Sequence, residues 1–86
     1  MWVKTEAGHS LNMDHLLSMR VLAGDKPNES VILARTRDQE NETLMRGTQE
    51  ECEYVYDMVL GAMNATSGAV FRDIGAILQQ RRAREK

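Results

Sequence analysis

Few residues in this chain could do chemistry. One cysteine, Cys52, and two histidines, His9 and His15, stand among thirteen Asp and Glu. A reactive cysteine needs its thiolate stabilised by a base, a cation or a helix N-terminus. Cys52 lies in the run TQEECEYVYDMVLGAM, residues 48–63, between Glu51 and Glu53 and close to Glu50. Negative neighbours and burial both raise a thiol pKa. The apolar spacing turns Cys52 inward, so it reads as a small, inert core residue. The histidines are distant in sequence, and His9, His15 and Cys52 match no zinc spacing. The six glycines are dispersed and build no phosphate-cradling loop. These residues predict no catalytic group, no metal and no cofactor, and the chain is expected not to be an enzyme.

Charge is the stronger signal. Residues 1–66 carry eleven acids against six Lys or Arg, whereas residues 67–86 carry two acids against five. The acids concentrate at Asp38, Glu40, Glu42, Glu50, Glu51, Glu53 and Asp57, opposed within that span only by Arg46. On a helix, Glu50, Glu53 and Asp57 share one stripe, and Tyr54 lies beside it on the outward side. Such a surface suits a basic protein partner, with Tyr54 as an anchor. The predicted partner-binding set is Asp38, Glu40, Glu42, Glu50, Glu53, Tyr54 and Asp57. A solvated face that keeps a small protein in solution is the plainer reading of the same charges.

The basic end is the rival surface. Arg81, Arg82, Arg84 and Lys86, with Arg72, could contact phosphates, making nucleic acid the alternative partner. No aromatic lies among them to stack bases. Cations at a helix C-terminus are also favoured by the dipole alone. The same tail could pair with the acidic face of a second copy, giving a homodimer. A homo-oligomer packed through Val70, Phe71 and Ile74 is a further alternative.

The elements that position these residues follow from periodicity. Trp2–Thr5, the Leu11/Met13 stretch, LLSMRVL, VILARTR and TLMR read as short strands. They are separated by turn signals at EAGH, GDKPNES and DQENE. In LLSMRVL, Leu17, Met19 and Val21 are expected on one face. The prediction is an α+β fold: an antiparallel meander of four or five strands with a helix packed on one face, then a second helix. Thr48 and Glu51 form a capping box for a helix over 48–63. Cys52, Val55, Tyr56, Val59, Leu60 and Met63 supply its inward stripe. Thr66 or Ser67 is placed to cap a second helix over about 67–84, with Val70, Phe71, Ile74, Ile77 and Leu78 inward. Its charged end is expected to project beyond the packed part.

At 86 residues the chain suits one domain with one thin core. It has no second cysteine for an internal disulfide, no signal-peptide pattern and no run long enough to span a membrane. A cytoplasmic protein that does not engage membranes is therefore expected.

The opening MWVKTEAGHSLNMDHL and the later TQEECEYVYDMV together resemble a group of small bacterial and phage proteins. Those begin Met-Trp-Ile/Val, run through several strands and end in a helix led by Thr-x-Glu-Glu. The pattern covers about two-thirds of the chain. Cys52 stands where such helices often have alanine, and the second helix with its basic end is an addition. In size, acidity and architecture the chain is also similar to phage-encoded inhibitors such as anti-CRISPR proteins. That analogy implies inhibition by charge mimicry and transfers no functional residue.

Overall fold

The computed structural model describes residues 1–38, 40–65 and 71–84. Among the described residues the fold is α+β, with two three-stranded sheets and two helices. The strands are β1 (Trp2–Lys4), β2 (Ser10–Asn12), β3 (Leu16–Ala23), β4 (Ser30–Thr36), β5 (Glu42–Gly47) and β6 (Phe71–Asp73). The helices are α1 (Gln49–Ala65) and α2 (Ile74–Arg84), and a 3-10 turn at Met13–His15 precedes β3.

The five strands expected from periodicity form, but not as one meander. β3, β4 and β5 make an antiparallel sheet, while β1 lies between β2 and β6 in a second sheet. β6 runs parallel to β1 and pairs Trp2 with Phe71 and Lys4 with Asp73. A parallel partner requires a long crossover; here the whole β3–β5 sheet and α1 intervene. Phe71 therefore belongs to a strand rather than to the second helix. Asp73 ends that strand and caps α2, accepting from the Ala76 amide at 3.2 Å. The expected caps Thr66 and Ser67, and Val70, lie outside the described residues.

Turn chemistry agrees with the sequence. Gly8 takes a φ of +96° between β1 and β2, and Asn28 and Asn41 take positive φ in the β3–β4 and β4–β5 connections. Asparagine tolerates that region better than most residues.

Two bulges set which side chains face inward. On β3, Leu16 pairs Thr36 and Ser18 pairs Arg35, leaving Leu17 as the extra residue. Leu16, Met19 and Val21 consequently pack on the core, and Leu17 points to solvent at 55% exposure. This corrects the expected grouping of Leu17 with Met19 and Val21. On β5, Ile32 pairs Met45 and Leu33 pairs Thr43, so Leu44 is the extra residue. Leu44 and Met45 are both buried in consequence.

One core joins all layers. It holds Val3 and Leu11 from the small sheet, and Ile32, Ala34, Leu44 and Met45 from the larger one. Cys52, Val55 and Val59 enter from α1, and Ile74 and Leu78 from α2. α1 lies along one face of the β3–β5 sheet and also meets α2. Its apolar stripe is narrower than expected, because Leu60 is 39% exposed. Ile74 is fully buried within its own chain. Ile74 is therefore not available to the expected homo-oligomer face, of which Val70 lies outside the described residues.

Candidate functional site

The two surfaces that compete in the sequence, the acidic helix and the basic end, meet in the fold. Thr48 caps α1: its Oγ1 accepts from the Glu51 amide at 3.1 Å, and its own amide donates to Glu51 Oε1 at 3.0 Å. That capping box fixes the Glu51 carboxylate beside α2. Arg82 then donates through Nε to Oε2 at 2.7 Å and through Nη2 to Oε1 at 3.2 Å. Glu51 is only 8% exposed. The Arg82 guanidinium holds its carboxyl below the ordinary value against the opposing effect of burial. One turn along, the Arg81 guanidinium sits 4.6 Å above the Tyr54 ring, a cation–π contact.

These contacts correct two expectations. Tyr54 is half-buried, packs against the core and is covered by Arg81, so it is no outward anchor. The basic end does not project: α2 continues to Arg84, and Arg81 and Arg82 fold onto α1. Arg72 and Arg84 are exposed, and Lys86 lies outside the described residues. Of the expected basic set, Arg81, Arg82 and Arg84 share the last turn of α2, while Arg72 stands on β6.

The remaining acids divide into three groups. Glu50, Glu53 and Asp57 are exposed along the outer face of α1, as the helical spacing predicts. Glu53 accepts from the Gln49 side chain at 3.0 Å, and none of the three meets a cation among the described residues. Asp38 and Glu42 instead bond histidines, His15 Nδ1 to Asp38 Oδ2 at 2.7 Å and His9 Nδ1 to Glu42 Oε1 at 2.7 Å. Those bonds tie the β4–β5 connection to the turns before β2 and β3. Glu40 lies on the other side of the β3–β5 sheet, in a cleft with Ser18, Arg20, Arg35 and Asn41. The loop acids and the helix acids therefore do not form one continuous surface.

Cys52 is fully buried, and burial first, then the Glu51 and Glu6 charges, pushes its thiol up to about 11. It is scaffold, as its place on the apolar stripe predicts. No group of three His, Cys, Asp or Glu side chains among the described residues is placed to hold a metal ion. A broad, open cleft of about 670 Å³ lies between the β3–β4 turn and the start of α1. Its lining includes Glu29, Glu50 and Glu51 and the hydroxyl residues Ser30 and Thr48, with no imidazole to serve as a base. No helix among the described residues is long and apolar enough to cross a membrane.

Sequence reasoning missed the partners of Glu51 and Tyr54, and it missed Arg20 and Arg35. Glu51 and Arg82 are thirty-one residues apart, so no local pattern joins them. Arg20 and Arg35 did carry a signal, since both alternate with apolar neighbours on adjacent strands. Comparison with known protein families, with curated proteins and with solved structures finds no match.

Proposed function

We propose that this chain is a non-enzymatic protein–protein interaction module whose working surface is the outer face of α1. The observation that supports this reading is the division of charge. Arg81 and Arg82 are engaged by Tyr54 and Glu51 of α1, whereas Glu50, Glu53 and Asp57 stand exposed in one stripe with no cation among the described residues. Like charges three and four residues apart repel on a helix, each pair costing about 0.2–0.5 kcal/mol. A basic surface docked on the stripe would relieve that repulsion and gain charge-assisted hydrogen bonds. Leu60, exposed beyond Asp57 on the same side, adds an apolar contact.

The partner is a protein with a basic patch. In one form of this reading the partner is a nucleic-acid-binding protein, and the carboxylates occupy positions otherwise taken by phosphates. The test is co-purification from extract of the native cells after nuclease treatment, with the wild type beside Glu50→Lys/Glu53→Lys/Asp57→Lys. The wild type is expected to retain a protein that the triple variant loses, with both giving the same circular dichroism. Equal recovery on both removes the acidic stripe as the working surface. Recovery of nucleic acid alone, abolished by nuclease, would move the function to a basic surface.

A further inference from the structure

The face of the β3–β5 sheet opposite α1 is open and carries the complementary charge. Residues paired directly across strands share a face. On this side Leu22 pairs Val31, Arg20 pairs Leu33 and Ser18 pairs Arg35. Arg46 and Thr43 continue the first two rows on β5. Arg46 is engaged by Glu29 at 3.5 Å. Arg20 and Arg35 are exposed and form no ion pair among the described residues. They are diagonal neighbours on adjacent strands, within reach of each other's long side chains, and they line a shallow cleft of about 350 Å³ with Ser18, Glu40 and Asn41. Among the described residues, Glu40 is the only acid lining that cleft.

We propose that the open sheet face, through Arg20 and Arg35, docks the acidic face of α1 from a second copy of this chain. The inference rests on the reading of the α1 stripe given above and names its basic partner. Three features match. The Cβ atoms of Glu53 and Asp57 stand about 5–6 Å apart on the helix, a spacing that long side chains on a diagonal strand pair such as Arg20 and Arg35 can reach. Leu60 on the helix would meet Leu33, which pairs with Arg20 and stands next to Arg35 on the same face of β4. The seventeen residues of α1 span about 25 Å, and the seven residues of β4 span about 23 Å. The sheet face has no aromatic among these residues, which favours an acidic helix over single-stranded nucleic acid as its occupant. Because α1 covers one side of the sheet and the arginines occupy the other, the contact is head to tail. Copies would add in series rather than close as a two-fold dimer.

Sedimentation of the wild-type protein over a range of concentrations tests this. The expected result is a mass that rises past the dimer at low salt and returns to monomer at about 1 M salt, where screening acts within ~3 Å. Arg20→Glu/Arg35→Glu and Glu50→Lys/Glu53→Lys/Asp57→Lys should each stay monomeric alone and associate when mixed, since each then offers the other a complementary face. A wild type that is monomeric throughout, association that survives Arg20→Glu/Arg35→Glu, or failure of the mixture to associate would overturn the proposal. A monomeric wild type that still captures a protein through the α1 stripe would leave the function reading standing. Loss of both would remove the two together.

Discussion

At the scale of single residues, Glu51 is the hinge of the molecule's electrostatics. It closes the N-terminus of α1 through Thr48 and receives Arg82 in a two-pronged contact. Arg82 is half exposed in its side chain, so the pair lies between a surface and a buried bridge. Arg82→Ala should therefore destabilise the fold by about 1–2 kcal/mol in thermal or denaturant unfolding. Arg82→Lys should recover only part of this, because an ammonium cannot reproduce the planar fork. The pH dependence has a definite sign. The Glu51 carboxyl is held below its ordinary 4.5 in the folded state, so its contribution is present above that pH and is lost as pH falls through the lower folded value. The acid limb of the wild-type stability curve should be steeper than that of Arg82→Ala, read from urea midpoints across that range. Gly47 guards the same contact. A Cβ there would stand 2.5 Å from Glu51 Oε1 and 3.1 Å from Met45 Cε.

At the scale of elements, local pattern determined type well and partnership poorly. The capping box and the 3.6-residue stripe place α1 within two residues of its observed ends. The alternation of β3 and β4 is clear in the sequence, but the bulge at Leu17 is not, because an extra residue in a ladder has no local signature unless glycine marks it. β6 was hidden for a different reason. Phe71 and Ile74 fit a helical spacing, and three residues are too few to show a period of two. Only the pairing with β1 makes them a strand, and that contact is set by tertiary structure. The same strand delivers Asp73 to its capping position and carries Ile74 and Leu78 into the core. Leu78→Ala should cost about 2–5 kcal/mol, and hydrogen exchange should quicken across α2 and β6 as well as at the site itself. An effect confined to the last turn of α2 would show that α2 is not anchored through Leu78.

At the scale of the whole molecule, exposed charge is unevenly placed. Glu50, Glu53 and Asp57 line the outer face of α1, Arg20 and Arg35 stand on the opposite sheet face with Glu40 beside them, and Glu51 and Arg82 join the two helices. This arrangement changes how a truncation must be read. A chain ending at Gln80 loses both Arg81 and Arg82, and with them the cover over Tyr54 and the counter-charge of Glu51. Its melting temperature should fall by several degrees, at about 4–8 °C per kcal/mol for a domain of this size. Binding lost on such a truncation reports on the fold unless it is measured well below the melt. The sequence shows the charge asymmetry but not its geometry. Glu40, Glu42 and Glu50 are neighbours in the chain, yet they lie in a cleft, on a histidine and on a helix face.

The bulge on β5 has one more consequence. The Leu44 carbonyl accepts from the Glu6 amide at 2.9 Å, and the Arg46 amide donates to Glu6 Oε1 at 3.0 Å. An edge strand normally offers such groups to any passing strand and so seeds amyloid-like growth. Here the hairpin loop after β1 plugs them with its own backbone and a carboxylate. β5 is thereby a poor template for cross-β recruitment, although it lies at the margin of its sheet.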